Sequence, residues 1–412
     1  MSKSKKKRKE NESLIEVHDI DLNKEQKETL KKLIHWWKHE RLHKQTFEIS
    51  GAAGTGKTTL IRYLIKKIGL SDDQVRFMAY VGKATLAMKM NGIQATTIHK
   101  AITTFHKEKV MEGDHQLVID GHPQWKSVFY PREYLDESIR LIVVDEGSMV
   151  PEYMAKWLLR YNIPIIVLGD LNQLPPVRGC AYFLRKPDAI LTQIMRQAKD
   201  SPIPYVAQHA RLGDDSIFSK PGEIEDKVII KSIDDLTDDE MLEADIILCP
   251  TNKERDHANR YIRESVLGMT APYPIIGDKM ICRENNWNES INEDIFLING
   301  MVGYVEDIDL ESITEYKMRI DFRPEFLENE AYRNLEIDRT YMRLSPEHKL
   351  KYNSNYNKFE YAYAITCHLA QGSQYNHVIV NMSRLWNLKS LQNRQWLYTA
   401  ITRAVNKLTI VY

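Results

Sequence analysis

The stretch Thr46-Phe47-Glu48-Ile49-Ser50-Gly51-Ala52-Ala53-Gly54-Thr55-Gly56-Lys57-Thr58-Thr59 decides the fold of this 412-residue chain. Its first four residues predict a strand, and the residues from Gly51 to Thr58 fit the pattern G-x-x-x-x-G-K-[ST] of a phosphate-binding loop. Apolar residues then recur at helical spacing, at Leu60, Ile61, Leu64, Ile65 and Ile68. A strand, a glycine-rich turn and an amphipathic helix in this order are typical of an α/β domain that holds phosphate at a helix N-terminus.

The residue types of this loop match the chemistry of a nucleoside triphosphate. Glycines allow backbone N–H groups to surround the phosphates, and the helix that follows points its positive end at them. Lys57 is predicted to neutralise the β- and γ-phosphates, and Thr58 is predicted to hold Mg²⁺. We therefore predict ATP and Mg²⁺ as cofactors, with these nucleotide-binding residues: Gly51, Ala52, Ala53, Gly54, Thr55, Gly56, Lys57, Thr58 and Thr59.

Two adjacent carboxylates, Asp145 and Glu146, follow the apolar run Leu141-Ile142-Val143-Val144. In isolation they would be read as ordinary acids at the end of a strand. Beside a phosphate loop, Asp145 can bind Mg²⁺ through water, and Glu146 can polarise the water that attacks the γ-phosphate. The pair therefore predicts nucleotide hydrolysis.

Short Val- and Ile-rich runs alternate with helix-like periods along the chain, which is typical of parallel α/β sheets. The first series of predicted strands is Thr46 to Ile49, Arg76 to Tyr80, Leu141 to Val144 and Ile163 to Leu168. The second series is Asp245 to Cys249, Tyr361 to Thr366, Val378 to Asn381 and Leu408 to Val411. We expect two α/β domains, 13–190 and 191–412, preceded by a basic tail at 1–12.

Two segments interrupt this alternation. Residues 106–138 contain the stretch Gln116-Leu117-Val118-Ile119-Asp120-Gly121 and are predicted to form a hairpin. Residues 270–358 contain alternating stretches such as Lys317-Met318-Arg319-Ile320-Asp321-Phe322 and a turn at Asn299-Gly300. This second insertion is predicted to form a small β-rich module.

The charge of the chain gives no general sign of a nucleic-acid partner. Lys plus Arg and Asp plus Glu both number 57, so binding to nucleic acid would need a local basic track. The segment Lys3 to Lys9 is almost wholly basic. It is interpreted as a solvated, disordered tail, with an electrostatic tether to nucleic acid as the alternative.

Cysteine spacing and hydropathy exclude other classes of protein. The four scattered cysteines have neither a C-x-x-C pair nor ligand-like spacing with histidine, which argues against a disulfide framework, a zinc site or an iron–sulfur cluster. No apolar run approaches the roughly 20 residues that a bilayer crossing needs. We expect an intracellular, cytoplasmic protein (host cytoplasm if a phage encodes it) without a membrane partner.

Seven further motifs lie between about residue 22 and residue 404. They are Leu22-Asn23-Lys24-Glu25-Gln26, Ala79-Tyr80-Val81-Gly82-Lys83-Ala84, Thr97-Ile98-His99, Gly169-Asp170-Leu171-Asn172-Gln173-Leu174-Pro175-Pro176-Val177, Ile194-Met195-Arg196-Gln197, Thr366-Cys367-His368-Leu369-Ala370-Gln371-Gly372-Ser373-Gln374 and Leu397-Tyr398-Thr399-Ala400-Ile401-Thr402-Arg403-Ala404. With the phosphate loop and the acidic pair, this ordered set resembles the superfamily I helicases of the 5′-to-3′ class, close to the RecD-like and phage Dda-like enzymes. The resemblance covers nearly the whole chain.

The resemblance implies a fold and a set of roles. The fold is two RecA-like P-loop domains in tandem, with a small β-hairpin insertion in the first and a small β-barrel-like insertion in the second. Gln26 is implied to contact adenine, Gln173 to sense the γ-phosphate and Arg403 to act as an arginine finger. The implied catalytic residues are Lys57, Glu146, Gln173, Arg196 and Arg403. The metal ligands are Thr58 and Asp145, and Gln26, Arg196, Gly372 and Arg403 join the nucleotide contacts.

The resemblance also implies a nucleic-acid track. The implied DNA contacts are Gly82, Lys83, Thr97, His99, His368 and Ser373. Val81 replaces a usual threonine and Leu369 a usual lysine, and each departure removes one expected contact with phosphate. RNA is not excluded as the track, because backbone contacts discriminate poorly between the two nucleic acids. The implied partners are single-stranded and forked DNA and single-strand-binding or replisome proteins, with the chain acting as a monomer in DNA replication, repair or recombination.

These assignments predict a helicase, in which ATP closes one domain on the other and each hydrolysis moves the strand by a step. The hairpin at 106–138 is the predicted wedge, because Phe105, Trp125, Phe129 and Tyr130 lie in or beside it and an aromatic ring can stack on a base. The same rings could instead pack the base of the hairpin. The module at 270–358 is implied to cover the DNA channel.

Three other functions share parts of this pattern. A translocase or nucleoprotein remodeller without duplex unwinding would have every ATP residue and would differ only in the wedge. A P-loop phosphotransferase would give no role to Gln173 or to the arginine near the C-terminus. A structural ATP-binding scaffold would bind ATP without hydrolysing it.

Overall fold

The computed structural model describes residues 22–109, 111–113, 115–116, 118–119, 122–123, 125–176, 180–193, 201–218, 220–291, 295–350, 352–383 and 387–412. The predicted basic tail, Val177 and Arg196 lie outside these described residues. Within the described part of the chain, every helix is too short or too polar to cross a bilayer.

The described elements run in the following order. The α-helices are α1 (Lys24–His35), α2 (Lys57–Ile68), α3 (Gly82–Met90), α4 (Ile98–Ile102), α5 (Glu152–Leu159), α6 (Ile203–Leu212), α7 (Asp238–Glu243), α8 (Asn252–Arg260), α9 (Arg339–Arg343), α10 (Pro346–Lys349), α11 (Cys367–Ala370) and α12 (Leu391–Ile401). The strands are β1 (Thr46–Gly51), β2 (Val75–Ala79), β3 (Ala95–Thr97), β4 (Thr103–Lys109), β5 (Met111–Glu112), β6 (His115–Gln116), β7 (Val118–Ile119), β8 (His122–Pro123), β9 (Trp125–Pro131), β10 (Leu141–Asp145), β11 (Ile165–Gly169), β12 (Ala189–Leu191), β13 (Gly222–Ile224), β14 (Val228–Lys231), β15 (Ile246–Cys249), β16 (Lys279–Cys282), β17 (Asn286–Ile291), β18 (Ile295–Leu297), β19 (Val302–Asp309), β20 (Lys317–Pro324), β21 (Tyr332–Asp338), β22 (Phe359–Tyr361), β23 (Ala364–Thr366), β24 (Tyr375–Asn381) and β25 (Ala404–Val411).

The first sheet has six parallel strands in the order β12-β1-β11-β10-β2-β3. Alternate residues of β10 point to opposite faces: Leu141 and Val143 pack with α1, α2 and α3, whereas Ile142 and Val144 pack with α4 and α5. Both faces are therefore buried, which explains why the strands read as continuous apolar runs. The predicted parallel α/β sheet is confirmed.

The strand order brings three motif-bearing strand ends together. β11 lies between β1 and β10, with Ser50 beside Gly169 and Val144 beside Val167 in the ladders. Parallel strands share the edge at which they end, so the phosphate loop, Asp145 and Asp170 follow neighbouring strands at one edge of the sheet. This edge is where ligands bind in open α/β sheets.

The second sheet has the order β13-β14-β25-β24-β15-β23. Its strands are parallel except for β13, which pairs antiparallel with β14 at one edge. The side chains of α6, α11 and α12 pack on one face, and those of α8 contribute to the packing on the other. The chain thus contains two parallel α/β sheets, as the two series of apolar runs predict.

The segment between α8 and β23 forms an antiparallel module. Its five-stranded sheet has the order β21-β20-β19-β16-β22, and β17 and β18 form a separate hairpin. The prediction of one strand from Tyr361 to Thr366 is wrong. Tyr361 pairs with Met280 inside the module, whereas Ala364 pairs with Ile247 of the second sheet. The chain passes from one sheet to the other within a single apolar run, and a period of two residues cannot reveal that change.

The smaller insertion is a long hairpin. β4 and β9 pair antiparallel from Thr103 opposite Pro131 to Lys109 opposite Trp125, and the short pairs β5-β6 and β7-β8 lie beyond them. The hairpin therefore begins three residues before the predicted start at 106 and emerges directly from α4. This connection couples its base to the first sheet.

A buried ion pair anchors the module to the second domain. Arg263 is 4% exposed, and its Nε donates to Asp278 at 2.8 Å, where the carboxylate is fully buried. The other guanidinium nitrogens donate to the carbonyl groups of Met269, Ala271 and Tyr273. Every nitrogen of this guanidinium therefore has an acceptor, and the entry to the module is fixed.

Replacing Arg263 by methionine is expected to destabilise the chain by about 3–5 kcal/mol, because it leaves the buried Asp278 carboxylate without its counter-charge. The measurement is the free energy of unfolding in urea. Lys156→Met is the control, since Lys156 and Glu152 form an exposed pair, with side chains 65% and 52% exposed. That control is expected to cost under about 1 kcal/mol. Equal losses in the two variants would contradict the anchoring role.

Candidate active site between the two sheets

The phosphate loop is a tight backbone turn between β1 and α2. Gly56 has a φ of 78°, a left-handed value that favours glycine. At Gly51, an added Cβ would lie 2.7 Å from the Thr55 hydroxyl oxygen and 2.9 Å from the Leu191 carbonyl oxygen. The backbone path therefore requires glycine at both positions, and α2 begins directly after the loop at Lys57.

Lys57 folds back over the loop that precedes it. Its Nζ donates to the carbonyl oxygens of Gly51 at 2.5 Å and Ala52 at 3.0 Å. Phosphate oxygens would be stronger acceptors for the same ammonium, because both partners of the hydrogen bond would then be charged. The loop thus holds the Lys57 ammonium where phosphate oxygens can replace the carbonyl oxygens as its hydrogen-bond acceptors.

Gln26, the predicted adenine contact, lies against the loop. It is 3% exposed, its Nε2 donates to the Thr55 carbonyl at 3.0 Å, and its Oε1 accepts from the Asn23 backbone N–H at 3.1 Å. Both ends of the amide are engaged, so Gln26 ties α1 to the phosphate loop in this structure. Contact with a base stays a prediction, and the second N–H of the amide and the second lone pair of its oxygen are the groups that could make it.

The acidic pair carries both backbone strain and perturbed pKa values. Glu146 has φ 52° and ψ 42°, a left-handed conformation that is uncommon outside glycine and recurs at functional sites. Burial raises the pKa of Asp145, and the charge of Lys57 opposes this shift. Burial and the Asp145 charge raise the pKa of Glu146, and Arg403 and Lys57 oppose that rise. A carboxylate with raised proton affinity suits a general base.

Thr58 and Asp145 fit a magnesium site. Both side chains line the cavity at the end of the first sheet. Mg²⁺ prefers oxygen ligands, and a hydroxyl with a carboxylate supplies them. Because burial disfavours the charged form of Asp145, a divalent cation at this position would stabilise it.

Gln173 lies on the segment that follows β11. The side chain is 5% exposed and lines the same cavity, and its Oε1 has no hydrogen-bond partner within the described part of the chain. Buried polar atoms are nearly always paired, so an orphaned acceptor beside a phosphate loop indicates a ligand that completes it. A carbonyl oxygen in this place can orient an attacking water.

Arg403 reaches the cavity from the second sheet. It is 3% exposed, and its guanidinium donates to the Thr399 carbonyl at 3.0 Å, the Ser373 carbonyl at 3.1 Å and the Thr402 hydroxyl at 3.2 Å. These bonds hold the planar group in one orientation. Its charge lowers the pKa of Glu146, so the two groups interact electrostatically across the cleft.

The cavity between the sheets has a volume of about 790 Å³. Its lining unites most of the predicted nucleotide and catalytic residues: Ala53, Gly54, Gly56, Lys57, Thr58, Thr59, Asp145, Glu146, Gln173, Gly372 and Arg403. Gly51 and Ala52 line an adjoining pocket of about 460 Å³. An ammonium, two oxygen ligands, a carboxylate base and a guanidinium around one space are the parts that phosphoryl transfer requires.

Three of the predicted DNA contacts lie within the contact between the two halves. The Lys83 Nζ is 3.4 Å from the Tyr375 hydroxyl, and Lys83 and Ser373 both line the 790 Å³ cavity. Gly82 is buried, and an added Cβ would lie 2.9 Å from the Ile298 side chain. A direct contact with DNA stays a prediction for each of these residues.

The other three predicted DNA contacts differ in their surroundings. The Thr97 hydroxyl is buried and accepts from the Lys100 backbone N–H at 3.2 Å, which caps α4. Burial lowers the pKa of His99 and of His368, which favours the neutral imidazole in both. The His99 ring lies 5.4 Å from the Phe129 ring, at the base of the hairpin. This packing agrees with the alternative interpretation of Phe129 as a residue of the hairpin base.

A groove of about 380 Å³ joins the hairpin base to the module. Its lining residues are His99, Lys100, Thr103, Thr104, His106, Phe129, Arg132 and Trp287. The Lys100 Nζ lies 5.3 Å from the ring centre of Trp287 and 4.0 Å from that of Phe296, both on the β17-β18 hairpin. Cationic and aromatic groups side by side suit a single nucleic-acid strand. Sequence reasoning missed Lys100, Arg132 and Trp287, because no local pattern joins positions so far apart.

Two family models match the chain. Residues 21–234, just over half of it, match the family described as AAA domain, and residues 361–411 match the UvrD-like helicase C-terminal domain. The chain is similar to the ATP-dependent DNA helicase PIF1 of Trypanosoma brucei brucei, at 26% identity over 58% of this chain. It is also similar to the ATP-dependent DNA helicase dda of Enterobacteria phage T4, at 27% identity over 60% of this chain.

The chain spans 23% of the length of the trypanosome relative and 57% of that of the phage relative. A crystal structure of Pif1 helicase from Bacteroides in complex with ADP-AlF3 and ssDNA superposes with a TM-score of 0.51 at 16% identity. The match covers 95% of this chain and 92% of the other, so the two share a fold.

The position of Lys83 predicts a pH dependence of stability. Burial lowers its pKa from 10.5 to about 7, against the opposing charge of Glu325. The folded chain therefore releases this proton near pH 7, whereas the unfolded chain keeps it until its ordinary pKa. Between these values the unfolded state binds more protons, so the free energy of unfolding rises with pH. We expect wild type to gain stability relative to Lys83→Met between about pH 7 and about pH 9, measured by urea denaturation.

The matched control is Lys89→Met, which removes a lysine from the exposed side of the same helix. A stability difference between wild type and Lys83→Met that stays constant over this pH range would contradict the burial of the Lys83 ammonium.

Proposed function

Because the chain belongs to the superfamily I helicases of the Pif1, RecD and Dda type, we propose that it is an ATP-dependent DNA helicase. It would move 5′ to 3′ along single-stranded DNA and unwind the duplex ahead. The observation that carries the proposal is the cavity in which Lys57 and Glu146 of the first sheet face Arg403 of the second. A nucleotide there would touch both halves, so its hydrolysis would change how they are held together.

The residues of this cavity divide the chemistry between them. Lys57 and the N-terminal end of α2 would bind the β- and γ-phosphates, and Thr58 and Asp145 would hold Mg²⁺. Bound Mg²⁺ supplies positive charge to the phosphate oxygens. Glu146 would take a proton from the attacking water, with Gln173 orienting that water, and Arg403 would stabilise charge on the transferring group. Arg196 would add a second arginine near the γ-phosphate.

Coupling to DNA follows from the shared cavity. Closure of the halves is favoured while the γ-phosphate bridges them and is lost after its release. If the two halves grip the strand with different strength in the two states, each cycle moves it by a step. Opening a base-pair step requires about 1.4 kcal/mol on average, which ATP hydrolysis exceeds in the cell. The direction 5′ to 3′ comes from the family class.

The finer architecture belongs to the same proposal. The two sheets would be RecA-like P-loop domains at 13–190 and 191–412, with the module at 270–358 as a β-barrel-like cover of the strand. The hairpin at 106–138 would be the wedge. In support, Tyr130 on β9 is 47% exposed, while the side chains of Phe105 and Trp125 lie outside the described ones. An exposed aromatic ring can stack on an opened base.

Substrates and partners are proposed on the same basis. The groove lined by Lys100, Arg132 and Trp287 would hold single-stranded DNA, with forked DNA as the substrate for unwinding. The other proposed contacts with the strand are Gly82, Lys83, Thr97, His99, His368 and Ser373. We propose that the chain acts as a monomer and meets single-strand-binding or replisome proteins on DNA.

The first test is ATP hydrolysis. Glu146→Gln keeps the size of the side chain and removes the base, so DNA-stimulated kcat is expected to fall about 100- to 10,000-fold while ATP still binds. Lys57→Ala is expected to lose ATP binding as well, because the phosphates lose their counter-charge. Phosphate release and nucleotide titration measure the two effects. The control is Glu152→Gln, an exposed acid paired with Lys156.

Unchanged phosphate release in both Glu146→Gln and Lys57→Ala, relative to Glu152→Gln, would exclude hydrolysis at this site. Such a result would leave ATP binding without hydrolysis as the role of this cavity.

The second test is strand separation on partial duplexes. A duplex with a 5′ single-stranded overhang is expected to be unwound at least about tenfold faster than one with a 3′ overhang, because the loading strand sets the direction of travel. Tyr130→Ala is expected to slow unwinding while DNA-stimulated ATP hydrolysis persists, since the wedge contributes only to strand opening. ATP hydrolysis on single-stranded DNA without unwinding of either duplex would contradict the helicase and indicate a translocase or nucleoprotein remodeller.

A further inference from the structure

The segment that carries Gln173 is attached to the second domain by a buried hydrogen bond to a carboxylate. The Tyr398 hydroxyl on α12 donates to the Asp170 Oδ2 at 2.6 Å. Asp170 is 1% exposed and Tyr398 is 4% exposed. The other oxygen of Asp170 accepts from the backbone and side-chain N–H groups of Asn172, at 3.0 Å and 3.1 Å. The carboxylate is therefore satisfied on both sides and cannot move without breaking bonds.

Burial raises the pKa of Tyr398, and the charge of Asp170 raises it further. The phenol therefore remains a protonated donor at every physiological pH. Hydrogen bonds from a neutral donor to a buried charged acceptor contribute more to stability than neutral pairs do. The contact therefore contributes more to the attachment of the segment at this point than a hydrogen bond between two neutral groups would.

Three more hydrogen bonds act on the neighbouring backbone, and the first runs from the Gln395 Nε2 to the Leu171 carbonyl at 3.4 Å. The Leu174 N–H donates to the Thr399 hydroxyl oxygen at 2.9 Å, and the Gln371 Nε2 donates to the Leu174 carbonyl at 2.9 Å. Both polar groups of the Leu174 backbone are thus paired with the second domain. The stretch from Asp170 to Leu174 leaves a strand of the first sheet but is bonded at each end to the second domain.

The same turn of α12 also holds the arginine of the cavity. The Thr399 carbonyl accepts from the Arg403 Nε at 3.0 Å, while the Thr399 hydroxyl oxygen accepts from the Leu174 N–H. Thr399 is fully buried. One residue therefore contacts the Gln173 segment on one side and Arg403 on the other, and Gln173 lies next to Leu174 with its Oε1 unpaired.

We propose that Tyr398 and Thr399 are positioning residues that set the spacing between Gln173 and Arg403 across the nucleotide cavity. When a γ-phosphate is lost, a shift of the Gln173 segment passes through these contacts to α12 and so to the second sheet. The inference rests on the proposed function, because it assigns a role within ATP hydrolysis. It adds two side chains whose hydrogen bonds to the first domain go to the Gln173 segment, at Asp170 and Leu174.

The test compares two Tyr→Phe variants that each remove one hydrogen bond to an aspartate. Tyr398→Phe removes the bond across the domains, and Tyr352→Phe removes the bond to Asp338 inside the module, which is 3.1 Å long. For Tyr398→Phe we expect DNA-stimulated kcat to fall about tenfold, a factor equivalent to about 1.4 kcal/mol. The KM for ATP is expected to stay within about twofold, and the ATP consumed per base pair unwound is expected to rise. Tyr352→Phe is expected to change none of the three.

Thr399 supplies a second, independent pair of variants. Thr399→Val keeps the shape and removes the acceptor of the Leu174 N–H, whereas Thr399→Ser keeps the hydroxyl. We expect Thr399→Val to reproduce the fall in kcat at unchanged KM and Thr399→Ser to restore at least half of the wild-type rate. This pair decides the question if Tyr398→Phe does not fold.

The outcomes separate the two proposals. Wild-type chain that hydrolyses no ATP in the presence of single-stranded DNA would overturn the proposed function. Active wild type, with Tyr398→Phe equal to Tyr352→Phe and Thr399→Val equal to Thr399→Ser, would overturn the positioning role alone. A lower melting temperature with kcat and the coupling ratio unchanged would also overturn it, because that result describes a purely structural contact.

Discussion

The burial of two adjacent carboxylates at one strand end is the constraint on which the rest of the site depends. Asp145 and Glu146 lie where burial raises the pKa of both, so their charged forms need cations close by. Lys57 supplies one from the phosphate loop and Arg403 another from the second sheet. Because Arg403 belongs to the other half of the chain, the charge balance is complete only when the halves meet. Bound nucleotide and Mg²⁺ would add their charges to the same cavity. Their binding and loss would therefore change the electrostatic attraction between the two halves.

The order of strands in the first sheet places a segment that contacts the second domain beside the phosphate loop and the acidic pair. β11 lies between the strand that ends in the phosphate loop and the strand that ends in the acids. The segment that leaves β11 therefore passes beside both, places Gln173 in the cavity and contacts α12 of the second domain. Four hydrogen bonds fasten it to the second domain, through Asp170, the Leu171 carbonyl and the two polar backbone groups of Leu174. The topology of the sheet thus places Gln173, which lines the nucleotide cavity, within the same short stretch, Asp170 to Leu174, that is hydrogen-bonded to the second domain.

The two insertions meet at α4. The hairpin follows α4 directly in the chain, and Lys100 of that helix lies against Trp287 and Phe296 of the module. The module itself is fixed to the second domain through Arg263 and Asp278. A strand held in the groove between the insertions would therefore contact parts that belong to different halves of the chain. This is the arrangement a motor needs if domain closure is to change its grip.

The sequence by itself determined the features that depend on near neighbours in the chain. The phosphate loop, the acidic pair and the two series of apolar strands follow from local spacing and from the period of buried strands, and the described structure contains them except for the single strand predicted from Tyr361 to Thr366. Tertiary structure decided what depends on distant partners. The run from Tyr361 to Thr366 divides between two sheets, Gln26 supports the phosphate loop, and Lys83 lies in the cleft beside Tyr375. Tyr398 meets Asp170 across 228 positions of sequence. Local periodicity fixes which face of an element is buried, but it carries no information about which partner covers that face, and that partner sets the pKa values and hydrogen bonds of the site.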